Sequence, residues 1–172
     1  RGCHVAGADA AAQSTLEALR RAGIACFVGH DVAQLGDADV LVYSSAIPAD
    51  NPERRAAHAR GIPCLHRGQL LAQLVNDARS ITVAGTHGKT TTAALAALIM
   101  TAAGFDPTAL IGGFVPAFGA YHRVGASPWI VVETDESDGS FQLLDSTIAA
   151  MLNIDRDHLD YYADIDAIAT AF

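Results

Sequence analysis

The sequence has 172 residues, 51% hydrophobic and 17% charged, which excludes wholesale disorder and supplies the side chains of a sizeable core. Eleven Lys and Arg residues against nineteen Asp and Glu residues give a net charge of −8, which argues against a general binder of nucleic acid or anionic membranes. The longest apolar segment, Ala93–Ala103, falls well short of the roughly 20 residues that a membrane-spanning helix needs.

The three cysteines, Cys3, Cys26 and Cys64, lie far apart and form no CxxC pair. Neither a zinc site nor a disulfide framework is therefore indicated, and reduced thiols in a cytoplasmic protein are the preferred interpretation. The histidines show no HxH or HExxH spacing, which argues against a zinc enzyme. The chain opens without Met or a signal-peptide pattern, and we expect it to be a fragment cut at both ends.

In the first 78 residues, short apolar runs alternate with helical patterns. The predicted strands are Cys3–Ala6, Ile24–Val28, Val40–Tyr43 and Ile62–Leu65. The predicted helices are Ala10–Ala22, a segment from Asn51 to Gly61, and Gly68–Ala78. Because strands separated by helices of this length form parallel sheets with covered faces, we assign residues 1–78 to one α/β unit.

A second unit, residues 79–172, begins with a strand at Ile81–Ala84, a glycine-bearing turn and an Ala-rich helix over Thr90–Ala103. The later predicted elements are strands at Ala109–Ile111, Trp129–Val132 and Thr147–Leu152, and a helix from Asp164. The pattern again predicts an α/β fold, so the whole chain is expected to belong to this class.

The most informative segment is the turn from Gly85 to Thr91, which reads GTHGKTT. A predicted strand precedes it and a helix follows it, and the free N–H groups at a helix start bind anions. Gly85 and Gly88 would let the backbone approach phosphate oxygens. Lys89 would bridge the β- and γ-phosphates of a nucleotide, and the Thr90 hydroxyl would ligate Mg²⁺.

The full P-loop pattern GxxxxGK[ST] is not met, because Val83 stands at its first glycine position. The alternative interpretation is a Gly-rich turn with a surface lysine. The strand before the turn and the unbroken helix after it favour phosphate binding. The candidate ATP-binding residues are Gly85, Thr86, His87, Gly88, Lys89, Thr90 and Thr91.

The predicted strand Trp129–Val132 delivers the carboxylate of Glu133 at its C-terminal end. In an open α/β sheet this end faces the ligand crevice, where a carboxylate can hold Mg²⁺ against nucleotide phosphates. Asp135 and Glu136 are close enough in sequence to compete for that role, whereas Asp138 is interpreted as part of a solvated acidic loop. Glu133 is therefore the preferred ligand, and Glu136 remains the alternative.

A second acidic loop carries His158, between Asp157 and Asp160. This histidine is either a loop residue that caps a turn or a second metal ligand oriented by a neighbouring carboxylate. Asn153, at the start of the same loop, would either lie near the γ-phosphate or support the phosphate loop.

Three polar residues mark strand ends in the first unit, namely Asp9, Ser44 and Ser45. An acidic residue after the second strand of a Rossmann unit commonly meets a ribose hydroxyl, and serine hydroxyls at a strand end can donate to a diphosphate. Ordinary turn chemistry explains the same residues equally well.

The segments GTHGKTT, SSAIP from Ser44, ETDESD from Glu133 and NIDRDHLD from Asn153 together resemble the Mur ligase family. The resemblance covers nearly the whole chain. It implies a Rossmann-like, UDP-substrate-binding unit followed by the N-terminal part of a P-loop ATPase domain, with the C-terminal amino-acid-binding domain absent. A departure is His66-Arg67, where a Pro-Arg pair is more usual.

The family resemblance also implies a function in peptidoglycan precursor synthesis. An ATP-dependent ligase would join L-alanine to UDP-N-acetylmuramate through an acyl phosphate, with Mg²⁺ as cofactor. Lys89, Glu133 and His158 are implied as catalytic residues, and Thr90 joins the latter two as a metal ligand. The implied residues facing the UDP part are Asp9, Ser44 and Ser45.

Other interpretations remain open at this stage. Within the family they are the ligases that recycle a murein tripeptide or add D-glutamate. In a different class, the chain would be a non-catalytic P-loop nucleotide-binding module. An NAD-binding module would need a GxGxxG turn, which this sequence lacks. Because most of the implied enzyme is missing, we expect this fragment alone to be inactive.

Overall fold

The computed structural model describes residues 2–137, 139–156 and 162–171. It separates into two compact units, Arg1–Arg67 and Gly68–Phe172. Each unit combines helices with parallel strands, so the predicted α/β class is confirmed. None of the helices in the described ranges has the length and apolar character to cross a bilayer.

The first unit contains two parallel strand pairs, β1 with β2 and β3 with β4. Its strands are β1 (Ala6–Asp9), β2 (Ala25–Val28), β3 (Leu41–Tyr43) and β4 (Cys64–His66). Its helices are α1 (Ser14–Arg21), a short 3-10 helix (Val32–Leu35) and α2 (Pro52–Ala59).

The start of α2 follows directly from its sequence. Buried Asn51 lies at the N-cap, and its side chain accepts hydrogen bonds from the N–H groups of Glu53 at 2.9 Å and Arg54 at 3.2 Å. Pro52 occupies the first helical position, where the missing N–H costs nothing. The local residues alone therefore determine where this helix begins.

The second unit is built on a five-stranded sheet with the order β7-β6-β8-β5-β9, parallel except for β7. Its strands are β5 (Arg79–Ala84), β6 (Thr108–Val115), β7 (Ala120–Arg123), β8 (Trp129–Glu133) and β9 (Ile148–Met151). Its helices are α3 (Arg67–Asn76), α4 (Lys89–Ala102), a short 3-10 helix (Ser140–Leu143) and α5 (Ile165–Ala171).

Helices cover both faces of this sheet. On one face, Val131 of β8 packs in a cluster with Ala93 and Ala97 of α4. On the other face, Ile130 and Val132 of β8 pack against Val75 of α3. Because successive strand residues point to opposite faces, this double burial explains why β8 is apolar at every position before its last residue.

The compact second unit begins before the boundary that the sequence predicts between residues 78 and 79. The reason is the packing of α3, whose Val75 is completely buried in the second unit's core. Residues 40 to 132 do not form one continuous sheet, since β3 and β4 pair only with each other among the described strands. The antiparallel strand β7 was not predicted, because its sequence AYHR lacks an apolar pattern.

Candidate functional site

The predicted phosphate loop lies between β5 and α4, at the C-terminal end of a strand that has β8 on one side and β9 on the other. Gly88 is the N-cap of α4 and has a φ of 85°, a left-handed conformation that favours glycine. Lys89, Thr90 and Thr91 form the first turn, where N–H groups have no acceptor within the helix. These N–H groups can therefore donate hydrogen bonds to a bound anion.

Lys89 folds back over the loop that carries it. Its Nζ donates to the carbonyl oxygens of Gly85 at 2.6 Å and Thr86 at 3.2 Å, and to Oε1 of Glu136 at 2.7 Å. Both partners of this ion pair are largely buried, with side chains 16% and 4% exposed. The arrangement keeps a positive charge at the helix start, next to the first-turn N–H groups.

Thr90 meets the other acid. Its hydroxyl donates to Oε1 of Glu133 at 2.8 Å, while the N–H of Gly112 donates to Oε2 at 2.6 Å. The backbone of β6 therefore fixes one carboxylate oxygen, and the other faces Thr90. Glu133 and Glu136, which the sequence left as alternatives, thus contact different residues of the phosphate loop.

The Thr90 and Glu133 oxygens fit a magnesium ion by both chemistry and spacing. Mg²⁺ prefers hard oxygen ligands in an octahedral arrangement, with bonds of about 2.1 Å. Two ligands at right angles are then about 3.0 Å apart, close to the 2.8 Å that separates these two oxygens. The described residues contain no cluster of three His, Cys, Asp or Glu side chains, so these two oxygens would need phosphates and waters to complete the coordination.

Two glycines of β6 make room for this pair, and the sequence analysis did not identify them. A Cβ on Gly112 would lie 2.8 Å from Oε2 of Glu133, and one on Gly113 would lie 2.6 Å from Cγ2 of Thr90. Both distances are shorter than real Cβ contacts. The available signal was a Gly-Gly pair directly after the apolar run Ala109–Ile111, which marks a close approach when it falls within a strand.

Asn153, two residues after the end of β9, also contacts the phosphate loop. Its side chain accepts from the His87 N–H at 2.8 Å and donates to the His87 carbonyl at 2.9 Å. Its own carbonyl accepts from the Thr86 N–H at 3.1 Å, and the Asp155 N–H donates to the Thr86 hydroxyl at 2.9 Å. The His87 ring is exposed and lies 3.6 Å from the Asp155 carboxylate.

The predicted second metal ligand, His158, lies outside the described residues, as do its neighbours Asp157 and Asp160 and the acidic-loop residue Asp138. The residue that follows this gap, Tyr162, is buried, and its hydroxyl donates to the carbonyl of Glu136 at 2.9 Å. Of the three predicted metal ligands, the structure thus describes only Thr90 and Glu133.

In the first unit, Asp9 makes a hydrogen bond within the turn that follows β1, as the turn interpretation of its sequence predicts. It ends β1, and its carboxylate accepts from the Ala11 N–H at 2.9 Å. The carbonyl of Ser44 accepts from the Ile47 N–H at 3.0 Å in the turn after β3. Both contacts are local, between residues two or three positions apart.

The Ser45 hydroxyl makes a longer-range contact. It lies 2.9 Å from Nε2 of His66, at the end of β4. The His66 ring meets the Tyr43 ring edge to face, and the Arg54 guanidinium lies 3.8 Å above the Tyr43 ring centre. Polar and aromatic groups therefore converge at the C-terminal ends of β3 and β4, where open α/β sheets bind ligands.

Two family profiles match the chain from end to end. The profile of the Mur ligase family catalytic domain matches residues 1–79, and that of the Mur ligase middle domain matches residues 83–172. Two similar curated proteins, from Caulobacter vibrioides and Chelativorans, are named UDP-N-acetylmuramate–L-alanine ligase. They are 46% and 45% identical over 99% of this chain, which spans 36% and 37% of their lengths.

Solved structures show the same similarity. UDP-N-acetylmuramate-alanine ligase MurC from Thermotoga maritima superimposes with a TM-score of 0.90 at 27% identity, over 97% of this chain and 40% of that one. The UDP-N-acetylmuramate:L-alanyl-gamma-D-glutamyl-meso-diaminopimelate ligase from Neisseria meningitides gives 0.88 at 33% identity, over 98% of this chain and 58% of that one. The chain thus corresponds to little more than a third of its curated relatives.

Proposed function

Because the chain belongs to the Mur ligase family, we propose that it is the nucleotide-binding part of a ligase that joins L-alanine to UDP-N-acetylmuramate at the expense of ATP. The relatives of 46% and 45% identity that carry this activity in their names support L-alanine as the amino acid. The observation that carries the proposal is the pairing of Lys89 with Glu136 and of Thr90 with Glu133 at one helix start.

The phosphate-binding step follows from the position of Lys89. When the phosphates of a nucleotide accept hydrogen bonds from the first-turn N–H groups of α4, their negative charge lies next to the Lys89 ammonium group. That group is paired with Glu136 before the nucleotide binds. The ammonium group then exchanges the loop carbonyls for phosphate oxygens. As a compact point charge on a flexible stem, lysine makes this exchange by rotation of its side chain.

Mg²⁺ would be held by the Thr90 hydroxyl and the Glu133 carboxylate, with phosphate oxygens and water as further ligands. When bound, the ion neutralises the charge that develops on the transferred phosphoryl group. Gly112 contributes through its N–H, which keeps Glu133 turned toward Thr90. His158, named by the family resemblance, would hold a second ion.

In the chemical step, a carboxylate oxygen of the muramate attacks the γ-phosphorus, and the bond to the β,γ-bridging oxygen breaks. The products are an acyl phosphate and ADP. The L-alanine amine then attacks the acyl carbon, phosphate leaves, and the amine loses a proton as the amide forms. Phosphoryl transfer of this kind depends on positioning and charge neutralisation, which Lys89 would provide.

The first unit would bind the UDP part of the substrate. Asp9, at the end of β1, would accept from a ribose hydroxyl, as acidic residues at this position of Rossmann-like units commonly do. Ser44 and Ser45, in the turn after β3, would donate to the diphosphate. His66 would orient the Ser45 hydroxyl, to which it is hydrogen-bonded.

The test is substrate-dependent ADP release by the complete protein, with UDP-N-acetylmuramate and either L-alanine or the tripeptide L-alanyl-γ-D-glutamyl-meso-diaminopimelate. A further mixture pairs UDP-N-acetylmuramoyl-L-alanine with D-glutamate, where release would identify a D-glutamate-adding ligase and overturn the proposal. We expect release only with L-alanine. Release with the tripeptide instead would identify a recycling ligase. Binding of Mg·ATP without release in any mixture would identify a nucleotide-binding module, and either result would overturn the proposal.

A further inference from the structure

The side chain of Asn153 binds the backbone of the phosphate loop. Asn153 forms two hydrogen bonds with the backbone of His87, accepting from its N–H at 2.8 Å and donating to its carbonyl at 2.9 Å. Only one orientation of the amide satisfies both contacts, since the oxygen must face the N–H and the nitrogen the carbonyl. The two hydrogen bonds have the pattern of a residue pair between neighbouring β-strands, except that the Asn153 side chain takes the place of one backbone.

Backbone hydrogen bonds on either side of these contacts join the end of β5 and the loop to residues 152 and 153. The Leu152 N–H donates to the Ala84 carbonyl at 3.0 Å, and the Thr86 N–H donates to the Asn153 carbonyl at 3.1 Å. Between these bonds, Gly85 has a φ of 125°, and a Cβ there would lie 2.8 Å from the Asn153 carbonyl oxygen. The close approach that requires glycine at position 85 is therefore made to the backbone of Asn153.

These contacts divide the loop into two parts. The N–H groups of Thr86 and His87 point at Asn153, whereas those of the first turn of α4 have no acceptor within the helix. We propose that Asn153 is a positioning residue: it fixes the backbone of Thr86 and His87, so that Gly88 to Thr91 alone present N–H groups to the nucleotide phosphates. The inference rests on the proposed function and assigns a role to a residue outside the GTHGKTT segment.

The chain contains a matched control for Asn153. Asn76, at the end of α3, makes the same pair of side-chain bonds to backbone, donating to the Leu143 carbonyl at 3.1 Å and accepting from the Asp145 N–H at 2.8 Å. It lies in the same unit but ties down the segment before β9 rather than the phosphate loop. Asn76→Ala therefore removes an equivalent structural contact without touching the loop.

The experiment measures amide hydrogen exchange at single residues in the complete protein, with and without Mg²⁺ and the β,γ-imido analogue of ATP. In the wild type, we expect the Thr86 and His87 amides to be protected before nucleotide is added and unchanged afterwards. The amides of Gly88 to Thr91 should gain protection on binding. If Thr86 and His87 exchange freely and become protected only with nucleotide, the proposal is wrong whatever the variants do.

The variants add a second readout. Asn153→Ala should release the His87 amide to fast exchange and raise the nucleotide Kd about tenfold, the size expected for two lost hydrogen bonds. Asn76→Ala should lower the thermal unfolding temperature similarly but leave the Kd within twofold of wild type. Equal weakening by both variants, or an unchanged Kd in Asn153→Ala, would overturn the positioning role.

A failure of the proposed function would look different. A wild-type protein that releases no ADP with UDP-N-acetylmuramate and L-alanine refutes the ligase. The exchange rates of the Thr86 and His87 amides do not depend on that activity, so they still decide whether Asn153 holds the loop.

Discussion

The Thr90 hydroxyl and the Glu133 carboxylate lie 2.8 Å apart although 43 positions separate them in sequence. Thr90 is in the first turn of α4, and Glu133 is the last residue of β8, the strand next to the one that precedes the loop. Parallel neighbouring strands end at the same edge of the sheet, so the fold brings the Glu133 carboxylate to the first turn of α4, where we propose that phosphate and Mg²⁺ bind.

Lys89→Ala should abolish ligation in the complete protein while leaving it folded, because the variant removes the positive charge at the helix start. We expect a loss of at least about 10²-fold in kcat/KM, the scale for one preorganised charge-stabilising group. Arg79→Ala removes a positive charge from the opposite end of β5 and is the control. Activity of Lys89→Ala within a few-fold of wild type, measured as ADP release, would exclude Lys89 from phosphoryl transfer.

Glu133→Gln and Glu136→Gln should separate the roles of the two acids. Glu133→Gln weakens the proposed metal ligand, so the Mg²⁺ concentration for half-maximal activity should rise by about tenfold or more. Glu136→Gln removes the partner of Lys89 instead, so the KM for ATP should change while the Mg²⁺ dependence stays that of the wild type. The opposite assignment of the two effects, in Mg²⁺ titrations of initial rate, would make Glu136 the metal ligand.

Gly112→Ala should disturb the proposed metal site through steric crowding alone. The added methyl group would lie 2.8 Å from Glu133 Oε2, so the carboxylate must turn away or the strands must separate. Because the crowded atoms are the free end of the Glu133 side chain, we expect only a small change in the unfolding temperature but a higher Mg²⁺ requirement. Gly7→Ala is the control for thermal unfolding, since its methyl group meets open space. If the Mg²⁺ dependence of Gly112→Ala equals that of the wild type, the metal site does not depend on the position that the Glu133 carboxylate has in this structure.

Asp106 should make the second unit sensitive to acid. The Ala126 N–H and then the Arg123 guanidinium, at 2.7 Å and 2.6 Å, lower the pKa of this carboxyl from its usual 3.8. A lowered pKa stabilises the folded state fully above the unfolded-state pKa, and the contribution is lost as the pH falls through the folded-state pKa.

The measurement is thermal unfolding of Asp106→Asn and wild type between pH 7 and pH 2.5. The wild type should be the more stable protein at neutral pH, and the difference should shrink below about pH 4. Asn tolerates the left-handed backbone at this position, where φ is 48°, so the substitution tests the charge and not the turn. A difference that stays constant with pH would contradict the assignment.

Several features were determined by neighbouring residues and could be predicted from the sequence. Asn51 and Pro52 specify the start of α2, and the apolar run of β8 indicates a strand buried on both faces. The segment from Gly85 to Thr91 predicts a phosphate loop, because a strand, a glycine turn and a helix follow one another within a few residues. In each case the cause is the preference of residues that lie within a few positions of one another in the sequence.

The tertiary structure decided which groups meet at that loop. Glu133 and Glu136 lie three positions apart in sequence, and only the paths of β6, β8 and α4 determine that one reaches Thr90 and the other Lys89. The roles of Gly112 and Asn153 likewise depend on contacts between separate strands and the loop. Sequence patterns record local backbone preference and burial, whereas contacts between distant side chains depend on strand order and register, which no local pattern encodes.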